Sequence, residues 1–198
     1  RPLMQLEKEG ADVYRLSVDR EGQIDLDELR QALTPETALV SLMTANNETG
    51  IFLPLDKAGA LIKESGILFH VDAVQSVGKH LLNLKNGPID YLSLSGHKLY
   101  GPKGIGALYI RPGTPFEPLI AGGSQERGRR GGTENVPGIA GLGMACELVA
   151  EDLAEEMIRL KALRDSFEDR LCHENKGVEI VGHKSNRLPN TVLALFQG

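Results

Sequence analysis

The chain has 198 residues, of which 41% are hydrophobic and 25% are charged, as expected of a soluble globular protein with one substantial domain. Its net charge of −5, without a long basic run, argues against a general nucleic-acid binder, and no apolar stretch approaches the roughly 20 residues that span a bilayer. Two cysteines, Cys146 and Cys172, lie in helical-looking sequence. They argue against a disulfide framework and predict a reducing compartment, by default the cytoplasm.

Apolar periodicity predicts alternating helices and strands up to residue 111. The opening residues RPLMQLEKEG are not a signal peptide and read as a helix tail closed by Gly10, so a trimmed or excised piece is expected. Asp25 is a plausible N-cap for the second helix, and the apolar run 37–45 predicts a strand buried on both faces. The predicted helices are 2–10, 25–33 and 54–65, and the predicted strands are 11–18, 37–45, 66–73, 89–96 and 104–111. This order predicts an α/β fold with helices flanking a mostly parallel sheet.

The pattern changes after the glycine-rich segment 122–138. Residues 139–174 predict one long helix with charge pairs four residues apart, and 178–183 and 190–196 predict two further strands. We therefore expect two domains, at 1–140 and 141–198, with the second being the start of a smaller α+β domain that is cut off.

Three predicted strands end in polar clusters, at 44–50, 70–76 and 93–98. Ligands of open α/β sheets gather at the carboxyl ends of the strands, so these clusters predict a shared site. His70 and Asp72 lie two residues apart on a strand and therefore point to the same face. Asp72 is open to three interpretations: a cap for the following turn, a metal ligand together with His70 and His97, or a partner for a protonated heterocycle.

Lys98 stands in SLSGHKLYGPKG, where an apolar run gives way to glycines. A phosphate loop of the Walker type is excluded, because Pro102 stands where the Walker lysine should be. Lys98 is then either a solvated surface lysine or an amine that attacks an aldehyde, with Ser95 and His97 beside it.

The segment GGSQERGRRGGTENVPG, at 122–138, mixes glycines with Arg127, Arg129, Arg130 and Thr133. It could be a flexible solvated loop or a loop that binds phosphate or carboxylate, because glycines allow close backbone approach and arginines bind anions.

Four motifs, NNETG, HVDAVQSVGK, SGHKLYGPKGIGALY and GGSQERGRRGGTENVPG, occur here in one order. In that order they resemble the cysteine desulfurases, a family in the class V branch of the fold-type I pyridoxal-phosphate enzymes. The resemblance implies a pyridoxal 5'-phosphate cofactor, L-cysteine as substrate and a homodimer. It also implies that 1–140 is part of the cofactor-binding large domain and that 141–198 holds the connecting helix and the start of the small domain.

The resemblance also implies roles for individual residues. Lys98 would hold the cofactor covalently, and Asp72 would pair with the pyridinium nitrogen. Gln75 would hydrogen-bond the phenolic oxygen of the ring, and Asn47 would bind that oxygen or the substrate carboxylate.

Three further residues would contact the cofactor phosphate. Ser95 and His97 would bind it within one chain, and Thr133 would reach the phosphate of the neighbouring subunit. Such an enzyme releases alanine, keeps the sulfur as a persulfide on a cysteine, and passes it to an acceptor such as an iron–sulfur scaffold.

The sequence departs from the family at several points. Neither Cys146 nor Cys172 matches the persulfide cysteine, which is expected beyond the end of this chain. The histidine that stacks on the ring, the N-terminal phosphate loop and the C-terminal arginine for the substrate carboxylate are not in it either. We therefore expect this chain to be inactive alone.

Four alternatives stay open on the sequence. A selenocysteine lyase shares the GHK and GTEN motifs, and another class V aminotransferase shares the fold. A fragment that folds without a cofactor and a His/Asp metal hydrolase are the remaining two.

Overall fold

A central sheet of four strands organises the computed structural model, which describes residues 2–197. Its strands, in spatial order, are β1 (Leu39–Met43), β2 (Leu68–Asp72), β3 (Tyr91–Ser95) and β4 (Gly106–Ile110). The first three run parallel and β4 runs antiparallel to β3. The predicted α/β fold with a mostly parallel sheet is therefore confirmed.

Five helices and a short 3₁₀ turn surround the strands. The helices are α1 (Pro2–Lys8), α2 (Leu26–Ala32), α3 (Leu55–Glu64), α4 (Gln125–Gly128) and α5 (Val136–Glu174), and the 3₁₀ turn is Gly96–Leu99. Asp25 caps α2 as predicted, because its carboxylate accepts from the backbone N–H of Asp27 at 2.8 Å and of Glu28 at 3.3 Å. The predicted long helix is confirmed and begins a few residues earlier than expected.

The predicted strand at 11–18 is wrong. Residues 11–17 form neither strand nor helix, and Val18 makes only an isolated bridge to Ile24. Side chains hold this segment instead: Arg15 forms a bidentate pair with Glu7, and Ser17 donates to Glu28 at 2.5 Å.

The prediction that 37–45 is buried on both faces is also wrong. Val40 and Leu42 are 9% exposed, whereas Leu39 is 49% and Met43 39% exposed. The buried side chains pack into one core with residues of α2 and α3, around the fully buried Phe69 and Ile62. The opposite face of the sheet is only partly covered by residues 2–197.

The C-terminal part adds a two-stranded antiparallel sheet of β5 (Val178–Ile180) and β6 (Ala194–Phe196), as predicted. The segment between these strands pairs with the loop after β1. The N–H of Leu188 donates to the Gly50 carbonyl at 2.8 Å, and the N–H of Phe52 donates to the Asn186 carbonyl at 3.0 Å. Since α5 crosses residue 140 without a break, the division into 1–140 and 141–198 stays a prediction. None of the helices within residues 2–197 has the length and apolarity to cross a membrane.

Candidate functional site

The carboxyl ends of β1, β2 and β3 lie at the same edge of the sheet because the three strands are parallel. Met43 pairs with Asp72, and Asp72 pairs with Ser93 on the next strand. This register brings the three predicted polar clusters to one edge, as the sequence indicated.

Asp72 ends β2 and is exposed at this edge. Its Oδ1 accepts from the backbone N–H of Val74 at 3.0 Å, so the carboxylate does cap the following turn. This bond uses one of two oxygens and fixes the carboxylate at the edge. The cap and a role toward a cationic group are therefore compatible.

The segment that carries Lys98 is a sharply folded turn. Gly96 begins the 3₁₀ turn, and Tyr100 closes it in the left-handed conformation with φ 61°. A Cβ atom on Gly96 would lie 2.8 Å from Cγ2 of Ile105 and 3.1 Å from the carbonyl oxygen of Pro102, so only glycine fits there. The turn leaves Lys98 half-buried directly after β3.

Ser95 and His97 flank this turn and contact each other, with 2.7 Å between Ser95 Oγ and His97 Nδ1. His97 is exposed and Ser95 is half-buried. The pair presents a hydroxyl and an imidazole next to the Lys98 backbone, which is a suitable donor set for an anion.

His70 lies on β2 between two hydroxyl groups. Its Nδ1 is 2.8 Å from Ser41 Oγ and its Nε2 is 3.3 Å from Ser93 Oγ. Burial lowers the pKa of His70, and the charge of Asp72 partly offsets this. Both ring nitrogens are thus engaged, and residues 2–197 contain no group of three His, Cys, Asp or Glu side chains able to hold a metal ion. The structure gives the metal interpretation no support.

The remaining predicted residues lie in loops. Gln75 is half-buried in the turn after β2, and Asn47 is exposed after β1. Its neighbour Asn46 shapes that loop, because Asn46 Oδ1 accepts from the N–H of Glu48 at 2.9 Å and of Thr49 at 3.0 Å.

Thr133 is exposed in the loop before α5, away from the strand ends in sequence. This loop is ordered by backbone geometry: the N–H of Gly131 donates to the carbonyl of Ile120 at 2.8 Å, and Glu126 and Arg127 are left-handed, with φ 48° and 61°. Its arginines, Arg127, Arg129 and Arg130, are all exposed.

Sequence reasoning missed a buried polar layer beneath the site. Thr44 Oγ1 donates to Ser76 Oγ at 2.6 Å, and both side chains are about fully buried. Lys79 is also buried and donates to the Lys98 carbonyl at 3.1 Å. The only sequence signal was their position just after β1 and β2, where polar residues interrupt apolar runs.

The family described as Aminotransferase class-V matches the chain over residues 1–198. The chain belongs to the class V aminotransferase family. A curated relative, cysteine desulfurase 2 of Trichormus variabilis, is 58% identical over 187 residues, which are 94% of this chain and 47% of the relative. The chain therefore spans about half the length of the curated relatives it matches.

Solved structures agree with this assignment. A NifS-like protein superposes with a TM-score of 0.94 at 41% identity, covering 98% of this chain and 53% of the other. A structure titled "SspA in complex with cysteine" superposes with a TM-score of 0.86 at 37% identity, covering 99% of this chain and 54% of the other.

Class V aminotransferases depend on pyridoxal phosphate. The side chains at the sheet edge fit this group: Asp72 offers a carboxylate for the ring nitrogen, Lys98 an amine for the aldehyde, and Ser95 with His97 a hydroxyl and an imidazole for the phosphate. The carboxylate lies at the end of β2, and the other groups lie at the end of the adjacent strand β3, as the binding of one molecule to all of them requires.

Proposed function

We propose that the chain is the cofactor-binding part of a cysteine desulfurase, which converts L-cysteine to L-alanine and passes the sulfur to an acceptor protein. The observation that carries the proposal is the convergence of Lys98, Asp72 and the Ser95–His97 pair at one edge of the sheet. Two names support the reaction and substrate: a curated relative is called cysteine desulfurase 2, and the SspA structure is titled as a complex with cysteine.

The residues around the ring would act as follows. Pyridoxal phosphate, when bound, supplies a ring that accepts the negative charge left on the substrate Cα. Asp72 would keep a proton on the ring nitrogen, since its carboxylate is held at the edge by the Val74 N–H. Lys98 Nζ would attach the cofactor and, once released, move the proton at the substrate Cα. Gln75 would donate to the phenolic oxygen, and Asn47 to that oxygen or to the substrate carboxylate.

The phosphate would lie against Ser95 and His97, whose mutual hydrogen bond orients both side chains. Thr133 would contact the phosphate of the neighbouring subunit in a homodimer, since it lies exposed on an ordered loop. We further propose an iron–sulfur scaffold as acceptor and a cytoplasmic location. The two free, exposed thiols of Cys146 and Cys172 favour a reducing compartment.

The proposal is tested by incubating the chain with pyridoxal phosphate, reducing it with borohydride and mapping the labelled peptide by mass spectrometry. We expect one label, on Lys98, and none in Lys98→Ala. Lys103→Ala is the matched control, because Lys103 is an exposed lysine in the next loop. Labelling spread over surface lysines, or unchanged in Lys98→Ala, would refute the assignment.

The substrate is tested in a protein of the relatives' length that contains this chain. We expect alanine release and persulfide formation with L-cysteine. Alanine release from L-selenocysteine alone would favour a selenocysteine lyase instead.

A further inference from the structure

We propose that Lys79 is a positioning residue that fixes the cofactor lysine and the ring-binding turn relative to each other. This inference rests on the proposed function, because it assigns Lys79 a role toward a cofactor held by Lys98. Lys79 itself lies beneath the site and does not need to touch the cofactor.

The Lys79 ammonium group bridges two segments of the site. Its Nζ donates to the backbone carbonyl of Lys98 at 3.1 Å and to that of Gln75 at 3.4 Å. The first carbonyl belongs to the 3₁₀ turn after β3, and the second to the turn after β2. One side chain therefore joins the backbones of two residues that we assign to cofactor binding.

Local backbone structure directs Lys79 inward. Gly78 has φ +79°, and a Cβ atom there would lie 2.5 Å from Leu99 Cδ2 and 3.0 Å from Val149 Cγ1. The turn can therefore pack this closely against the 3₁₀ turn and α5 only with glycine at position 78. The N–H of Lys79 donates to the Ser76 carbonyl at 2.8 Å, and this contact completes the turn.

The same turn is anchored to β1. Ser76 Oγ accepts from Thr44 Oγ1 at 2.6 Å, and Thr44 Oγ1 also lies 3.2 Å from the Asp72 carbonyl. Buried and partly buried hydrogen bonds therefore connect the segments that follow the three parallel strands, and Lys79 makes the link to Lys98.

Electrostatics argue that Lys79 is more than a space-filling side chain. Lys79 is 8% exposed, and no carboxylate among residues 2–197 forms an ion pair with it. Burial lowers its pKa, and the nearby positive charge of Lys98 lowers it further. A buried ammonium group beside a second cation costs free energy, which an apolar side chain of the same length would avoid. The ammonium group provides two hydrogen bonds, to the carbonyls of Lys98 and Gln75, that an apolar side chain cannot make.

The experiment compares wild type, Lys79→Met, Lys79→Arg and the control Lys85→Met, all loaded with pyridoxal phosphate. Lys79→Met keeps the apolar stem and removes the donors, whereas Lys85 is exposed on the following segment. Two quantities are measured: the visible circular dichroism of the bound cofactor, which reports its orientation, and the rate at which the cofactor is lost to a trapping amine.

We expect Lys79→Met to change the visible circular dichroism band. It should also release the cofactor on the order of 10-fold faster, because a hydrogen bond from a charged group is lost. Lys79→Arg should recover most of both properties, and Lys85→Met should match wild type. Wild-type dichroism and release in Lys79→Met would overturn the proposal.

Two further outcomes are separable. Wild type that takes up no cofactor at Lys98 would refute the proposed function itself. If Lys79→Met does not fold, Lys79→Gln replaces it, because glutamine is one atom shorter and cannot bridge both carbonyls, of which that of Gln75 already lies 3.4 Å from Lys79 Nζ. Unchanged dichroism and release in that variant would also overturn the positioning role.

Discussion

Replacing Arg187 by methionine should destabilise the fold strongly, because it leaves Glu168 as a buried charge without its partner. Arg187 Nη2 donates to Glu168 Oε2 at 2.9 Å, and both side chains are 2% exposed. His183 Nδ1 lies 3.3 Å from the same oxygen, but its side chain is 60% exposed. The ion pair fixes the segment that carries Arg187 against α5, which carries Glu168.

The expected loss in the free energy of unfolding is about 3–5 kcal/mol, the range for removing one partner of a buried ion pair. This is a large share of the roughly 5–15 kcal/mol that stabilises a typical domain. Glu168 Oε1 and Arg187 Nε and Nη1 have no hydrogen-bond partner within residues 2–197, so the pair is not fully satisfied as it stands. Replacing both residues by apolar ones should therefore cost much less than either single change.

The assay is a double-mutant cycle of Arg187→Met and Glu168→Leu, with urea unfolding followed by far-ultraviolet circular dichroism. We expect each single variant to lose several kcal/mol and the double variant to recover most of that loss. Single losses below about 1 kcal/mol, or a double variant whose loss equals the sum of the two, would refute the reasoning. Arg170→Met, which removes an exposed pair with Glu174, is the control and should change stability little.

Three more predictions concern other parts of the fold. Gly143→Ala should stabilise the protein by about 0.5–1 kcal/mol in urea unfolding, because Gly143 lies inside α5 and an added Cβ would meet nothing within 4 Å. Gly96→Ala, by contrast, should lose cofactor labelling at Lys98, since its Cβ would lie 2.8 Å from Ile105; labelling equal to that of Gly143→Ala would contradict this. The lowered pKa of His70 means that the unfolded chain takes up this proton first as pH falls below about 6.5, so acid should destabilise the fold. His70→Gln should reduce the stability difference between about pH 7.5 and about pH 5.5 in urea unfolding, and an unchanged difference would contradict this prediction.

Local sequence signals predicted most elements of this fold. Asp25 marked the start of α2, and Gly66, with φ 69°, follows the end of α3. The parallel strands could be inferred from the alternation of helix and strand, and that inference alone brought Asp72 and Lys98 to one edge. The roles of both residues came only from the resemblance, because the residues alone left each of them open to several interpretations.

Other features depended on contacts that no local pattern contains. The segment 11–18 has the composition of a strand, but Glu7 and Glu28 hold it through side chains rather than through a ladder. The apolar run of β1 shows that its residues can be buried, and it does not show which face is covered. No local pattern singled out Lys79, because its partners are the carbonyls of residues 75 and 98.

The return of the chain from β5 to the loop after β1 also sets an order of folding. That loop pairs with residues 186–188, and Ser185 contacts Glu21 across a sequence separation of 164 residues. During synthesis the parallel strands can pair and bury Phe69 well before this segment leaves the ribosome. The loop that carries Asn47 must wait, since contacts between distant residues form late and slowly. We therefore expect a nascent chain to hold a formed Lys98 turn beside an unpaired Asn47 loop until residues 186–188 are made.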